Sequence, residues 1–380
     1  MRSLLASARA YERQIIAQIR ELVQCESPSY DATAVNRFVD LIADTLTRFG
    51  KVKTFPGGRF GKNLRCEFAL PGRKKKDGQL LVLGHSDTVW PLGALQQMPF
   101  RQADGRLWGP GVLDMKSGIV FFIFAMRLLI ELDRPVRRRV ILQLNCDEEV
   151  GSETSRPLTE EAARKSAAVL VLEPGTGLTG KLKTARKGVG DYTVTVKGRA
   201  SHAGVDFEAG ASAILELSRQ IERIATFTQL RRGVTVNPGV ISGGTRTNVI
   251  AAEARTEVDI RVLREKDAPA LDKRFRSLRP FDKRCSIQIE GGLNRPPMER
   301  SVGIRALFKT AKSLARQIGV ELEESTTGGG SDGNFTAALG IPTLDGLGGV
   351  GEGAHAANES ILIDRIADRT ALLAGLVATL

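Results

Sequence analysis

At 380 residues, with 42 % hydrophobic and 26 % charged residues, the chain can fill one large core or two domains and has an ordinary globular make-up. Its four cysteines (Cys25, Cys66, Cys146 and Cys285) lie far apart, which speaks against both a disulfide framework and a cysteine-type zinc site. A net charge of +12 admits a nucleic-acid partner on charge alone, but the basic clusters punctuate turns: Arg73-Lys74-Lys75-Lys76 sits between Pro71-Gly72 and Asp77-Gly78, and Arg137-Arg138-Arg139 precedes a strand.

Residues 5–25 have the spacing of an amphipathic helix rather than the make-up of an export signal, which points to a cytoplasmic protein. A second helix is predicted over 32–49. Strands follow at Asn63 to Leu70 and Gln79 to Gly84, joined by the basic turn, and then a Gly- and Pro-rich loop from Val89 to Leu113. The apolar run Ile119 to Ile130, broken by Arg127, is too short to span a bilayer and reads as part of a buried helix over 116–132. A strand over Val140 to Cys146, a helix over 156–166 and a strand over Ala168 to Leu172 continue the alternation expected of an α/β domain with a largely parallel sheet.

The texture changes near Lys187. Strands at Val189 to Lys197, Val234 to Ile241, Thr247 to Leu263 and Cys285 to Glu290, with helices at Ala209 to Ile224 and 265–278, give the order β-α-β-β-α-β of a small ferredoxin-like domain. After Pro296-Pro297 the α/β texture returns: helix 302–318, a strand near 322–326, a Gly-rich loop at 328–333, a strand over Ile341 to Leu347 and a final helix. One domain is therefore read as inserted into another, with boundaries at 1–186, 187–296 and 297–380.

The chemistry begins at Gln79 to Gly84, a run buried on both faces that ends in His85-Ser86-Asp87. Side chains two apart on extended backbone share a face, so Asp87 is placed to take a proton from one imidazole nitrogen of His85 and aim the other at a metal. Asp114, Glu148 with Glu149, and Glu173 each follow a strand or open a helix of the α/β domain, where open sheets bind ligands beyond their strand ends. His355 comes from a loop after another strand. Two histidines with several carboxylates and no cysteine suit zinc, with cobalt or manganese as second choices, and one carboxylate can bridge two ions. In the inserted domain Arg261 shares a strand face with Glu257 and Asp259. It reads either as a salt bridge within that face or as a fork for a substrate carboxylate. Asn248 and the backbone of the loop at Gly329 and Ser331 are candidates for the same end of the substrate.

Taken in order, Gly84-His85-Ser86-Asp87-Thr88-Val89, Trp108-Gly109-Pro110-Gly111-Val112-Leu113-Asp114-Met115-Lys116-Ser117-Gly118 and Asp147-Glu148-Glu149-Val150-Gly151-Ser152 resemble the M20 metallopeptidase family, closest to its glutamate carboxypeptidase branch. Leu172-Glu173-Pro174, Ser201-His202-Ala203-Gly204, Thr247-Asn248-Val249-Ile250, Gly328-Gly329-Gly330-Ser331-Asp332 and Gly353-Ala354-His355-Ala356-Ala357-Asn358-Glu359 extend the likeness end to end, and all three histidines of the chain fall inside it. Ser117 stands where many relatives have glycine. The resemblance implies a zinc-exopeptidase-like fold with a lid and dimerisation domain inserted. It implies that His85 and Glu173 hold one ion, Glu149 and His355 the other, and that Asp114 bridges. Asp87 would support His85, Glu148 would be the general base that deprotonates the attacking water, and His202 would donate a hydrogen bond to the tetrahedral oxyanion, reaching the partner's site in a homodimer.

The expectation is therefore a di-metal hydrolase that cleaves an amide bond beside a free carboxylate and releases a C-terminal amino acid such as glutamate. An N-acyl-amino-acid deacylase with the same site is the nearest alternative. An inactive basic nucleic-acid-binding or scaffold protein on the same fold is the remote one, opposed by the intact ligand set and the few aromatics.

Overall fold

The computed structural model describes all 380 residues, Met1–Leu380. The chain forms two compact units. One comprises Met1–Ala185, Arg300–Thr327 and Ser331–Leu380; the other comprises Arg186–Glu299 with Gly328–Gly330.

The first unit is built on a six-stranded sheet in the order Gly50–Pro56, Lys62–Phe68, Arg139–Asn145, Gln79–His85, Ser166–Val171, Thr343–Leu344. The three central strands and the last run parallel, and the first two are antiparallel additions at one edge. Gln79–His85 lies in the middle and every residue of it is buried, as its uninterrupted apolar run requires. The strands joined by the basic turn are not neighbours, because Arg139–Asn145 comes between them. That turn is more than solvated charge: Lys74 Nζ donates to the carbonyls of Leu70 and Val136, each at 3.0 Å.

Helices cover the sheet. Ser117–Glu131 and Ile366–Thr379 are apolar nearly all round, and both are buried along almost their whole length. The amphipathic stretch at the N-terminus is two helices, Arg2–Ala10 and Glu12–Gln24, rather than one. Helix Ser117–Glu131 meets the sheet closely at its start. A Cβ on Gly118 would lie 2.3 Å from the carbonyl oxygen of Leu172, and one on Gly348 would lie 2.1 Å from the same atom. Only glycine fits at either place. The expected loop from Val89 to Leu113 contains a short helix, Ala94–Gln97, and a hairpin, Arg101–Ala103 with Arg106–Trp108. This hairpin joins Ser360–Leu362 and Gly351–Glu352 in a second small sheet.

The second unit is a four-stranded antiparallel sheet in the order Thr235–Gly243, Glu253–Val262, Gly188–Lys197, Ser286–Arg295. In chain order that is second, third, first, fourth, with helices Ala213–Ala225 and Ala268–Arg276 as the two connections of the ferredoxin-like pattern. Alternate residues Tyr192, Val194 and Val196 are buried in a core with Leu217, Ile224, Leu271 and Phe275. Tyr192 stacks on Phe275 with ring centroids 3.8 Å apart. The strand expected from Thr247 begins only at Glu253, and residues 247 and 248 are exposed.

Candidate metal centre

Three parallel strands end side by side, and the polar residues follow directly. His85 is the last residue of its strand, Glu148 and Glu149 follow Arg139–Asn145 on a single 3-10 turn, and Glu173 follows Ser166–Val171. Asp114 precedes the buried helix Ser117–Glu131. His355 lies in the exposed loop between Gly351–Glu352 and Ser360–Leu362, with a φ of +63°, a backbone region uncommon for non-glycine residues.

The sequence separates these residues by up to 270 positions, and the fold brings their donor atoms together. His85 Nε2 lies 3.2 Å from Asp114 Oδ1 and 3.5 Å from Glu173 Oε1. His355 Nε2 lies 3.3 Å from Asp114 Oδ2 and 3.3 Å from Glu149 Oε2. Each oxygen of Asp114 therefore faces a different histidine. These separations are long for hydrogen bonds. They match the ~3.3 Å expected between two ligands that sit about 2.0–2.1 Å from a shared tetrahedral ion. Donor atoms of His85, Asp114 and Glu149, and separately of His85, Glu148 and Glu173, fall within 4.8 Å of one another. Glu149 Oε1 is buried with no hydrogen-bond partner, a vacancy that a cation's coordination shell would fill.

The electrostatics carry the strain of an anionic cluster. Hydrogen bonds that the Asp114 and Glu149 carboxylates accept outweigh burial and push the His355 imidazole up to about 10. Burial pushes Glu149 up to about 7 against the pull of His355. Burial also opposes charge on His85, but Asp114, Asp87 and Glu173 around it hold its pKa well above the usual value. Burial would raise the Asp114 carboxyl, yet the two histidines beside it hold it far below the ordinary range. Raised pKa values in the cluster offset its negative charge, the same charge that would favour a cation there.

The support of His85 differs from the sequence reading. Its Nδ1 meets the backbone carbonyl of Asp87 at 2.9 Å, while the Asp87 carboxylate stands off at 3.5 Å. That carboxylate instead accepts the Ser29 hydroxyl at 2.8 Å and the N–H groups of Glu148 and Glu149 at 3.2 Å. Asp87 thus anchors the turn of the two glutamates as well as standing beside the histidine. Two further residues of the quoted motifs hold the same surroundings. Asp332 accepts Asn145 Nδ2 and Ser152 Oγ, each at 2.5 Å, across the base of the acidic turn. Glu359 accepts from the segment that leads to Asp114. Motif membership was the one sequence signal for them, and Ser29 had none.

The remaining candidates are placed differently. His202, Asn248 and Arg261 belong to the second unit, where His202 and Asn248 are exposed. The His202 ring Nδ1 accepts the Gly204 N–H at 3.2 Å. Arg261 holds Asp259 in a fork, Nε to Oδ1 at 3.0 Å and Nη2 to Oδ2 at 2.7 Å, and its Nη1 reaches the Gly328 carbonyl at 3.3 Å. The Gly329 carbonyl is taken by Arg186 Nη1 at 3.1 Å. Ser331 is fully buried: its hydroxyl donates to Asp345 at 2.7 Å and accepts the Gly333 N–H at 3.1 Å, and its own N–H donates to Asn334 Oδ1 at 3.0 Å.

With this geometry in view, the likeness to known proteins is specific. The chain is 28 % identical over 358 residues to carboxypeptidase G2 of Pseudomonas sp. strain RS-16, covering 93 % of this chain and 85 % of that protein. It is 29 % identical over 326 residues to succinyl-diaminopimelate desuccinylase of Cereibacter sphaeroides, covering 79 % and 82 %. Its fold is similar to that of aminopeptidase PepT from Bacillus cereus, with a TM-score of 0.77 over 97 % of this chain and 98 % of that one, at 22 % identity. No helix is long and apolar enough to cross a membrane. The sequence pattern of peptidase family M20/M25/M40 matches residues 81–379, a span that holds all five metal-ligand candidates, and the chain belongs to that family of metal-dependent peptidases and amidohydrolases.

Proposed function

We propose that this enzyme is a di-metal hydrolase that cleaves the amide bond next to a free carboxylate and releases a C-terminal amino acid such as glutamate. The observation that carries the two-ion reading is Asp114, whose two oxygens face His85 and His355 separately. His85 and Glu173 would hold one ion, Glu149 and His355 the other, with zinc the best fit to the donors. When bound, the ions polarise the scissile carbonyl and make water a nucleophile at neutral pH. Glu148 takes the proton of the attacking water and later passes it to the departing amine. Its neighbour Glu149 groups with His85 and Asp114, while Glu148 lies with His85 and Glu173, within reach of the same centre.

His202 would donate to the oxyanion, with Arg261, Asn248 and the Gly329 backbone assigned to the substrate carboxylate; these roles rest on the family resemblance. So does a homodimer formed through the inserted unit. Four unpaired thiols suit the cytoplasm. The likeness to a desuccinylase, at a similar identity over less of the chain than that to carboxypeptidase G2, favours a second reading, deacylation of an N-acyl amino acid at the same centre.

The test is elemental analysis after mild dialysis, followed by hydrolysis assays on N-acyl glutamates, dipeptides and N-succinyl amino acids. About two divalent ions per chain are expected, with a chelator abolishing turnover reversibly. Full turnover in metal-free protein would overturn the reading.

A further inference from the structure

The loop that carries His355 is exposed from Ala354 to Asn358, and the residue that closes it, Glu359, is 1 % exposed. Burying a carboxylate is expensive unless its oxygens are fully hydrogen-bonded. Those of Glu359 are. Oε1 accepts the N–H groups of Leu113 at 2.8 Å and Asp114 at 3.0 Å; Oε2 accepts the Gly111 N–H at 2.8 Å and the Trp90 indole N–H at 2.7 Å. The Glu359 backbone carbonyl takes a fifth bond, from Gly109 N–H at 3.3 Å. All five donors lie on residues 90–114, the segment that ends in Asp114, and none lies on the loop of Glu359 itself.

We propose that Glu359 is a positioning residue for one half of the metal centre, its carboxylate fixing the backbone of Asp114 against the loop of His355. The inference rests on the two-ion reading above. Asp114 and His355 stand 241 positions apart in the chain, and their facing atoms lie 3.3 Å from each other. The side chain of His355 is 49 % exposed, so little packing holds it there. The other half has separate support. His85 ends a strand paired on both sides, and the Glu173 carbonyl accepts the Gly348 N–H at 2.9 Å. Loss of the clamp should therefore fall mainly on the ion of His355 and Glu149.

Glu359→Gln offers one acceptor oxygen in place of two and turns an NH2 group toward N–H donors. Chelator-stripped protein is titrated with Co2+ and with Zn2+, and the metal-free melting temperature is measured alongside. In the variant, the dissociation constant of the weaker ion should rise about 10- to 100-fold, as is typical when a supporting residue of a metal site is lost. The other ion should change much less, and the Co2+ absorption of the affected site should change shape. Trp90→Phe removes one of the four donors and should weaken the same ion to a smaller degree; it carries the test if Glu359→Gln does not fold. Unchanged binding of both ions, or equal weakening that follows a fall in metal-free melting temperature, would overturn the positioning role. Fewer than two ions in the wild-type protein would end the two-ion reading as well, which keeps the two failures apart.

Discussion

The two adjacent acids give the sharpest test at the scale of single residues. Glu148→Gln should keep both ions and lose turnover by about 10²- to 10⁴-fold, because proton transfer fails while coordination survives. His355→Ala should lose metal together with activity. An ion missing from Glu148→Gln, by elemental analysis, would mean that the acids are assigned the wrong way round. The thiols give a second test. Burial pushes the Cys66 thiol up to about 12 from an ordinary value near 9. The folded state therefore keeps this proton where the unfolded chain has lost it, and stability should fall as the pH climbs from about 9 toward 12. At pH 8 Cys25, which is partly exposed, should react with a thiol reagent well before Cys66. Equal labelling rates would contradict the packing around Cys66. What the sequence conveyed at this scale was the set of candidate donors that the fold gathers, because ligand chemistry restricts residue type at each position. Beyond its place in a motif it conveyed no role for Glu359, and it conveyed none for Ser29, because hydrogen bonds to residues distant in the chain leave no periodicity or spacing.

Among the elements, strands with a strong apolar signature were legible, and short or polar ones were not. Leu182–Arg186 is buried throughout, yet its Lys, Thr and Arg hide it from any hydrophobic pattern. The strand expected over Ile341 to Leu347 shrinks to Thr343–Leu344, since Gly346 takes a positive φ and Gly348 must pass the Leu172 carbonyl. That close approach is itself testable. Gly118→Ala would place a methyl group 2.3 Å from the Leu172 oxygen and should destabilise the fold by about 1–3 kcal/mol. Urea unfolding measures it, and a change below about 0.5 kcal/mol, the range of ordinary surface substitutions, would mean that helix and strand are further apart than described. Arg369 ties the same region from the last helix. It is buried, and its guanidinium donates to the carbonyls of Gly346 and Gly180. Arg369→Met should leave both acceptors unsatisfied and cost about 1–3 kcal/mol for each carbonyl that finds no water.

For the whole molecule, the proposed exchange of His202 between partners can be tested without knowing the substrate's acyl group. A Glu148→Ala chain and a His202→Ala chain, each nearly inactive alone, are co-expressed. In a mixed dimer one site then combines an intact Glu148 with an intact His202, and the other site carries both lesions. Random pairing gives roughly a quarter of wild-type activity. Mixed dimers no more active than their parents would reject donation between chains, and a monomer by light scattering would reject the dimer. The interrupted chain path of the first unit has a consequence for how the enzyme is made. Glu173 emerges from the ribosome before the inserted unit and His355 only after it, so at usual elongation rates the ligands are separated by on the order of ten seconds or more. During that interval the nascent protein carries His85, Asp114, Glu149 and Glu173 but lacks His355, and the Gly348 N–H that holds the Glu173 carbonyl has not yet been made. On the two-ion reading, the full set of donors therefore exists only when nearly the whole chain has been translated.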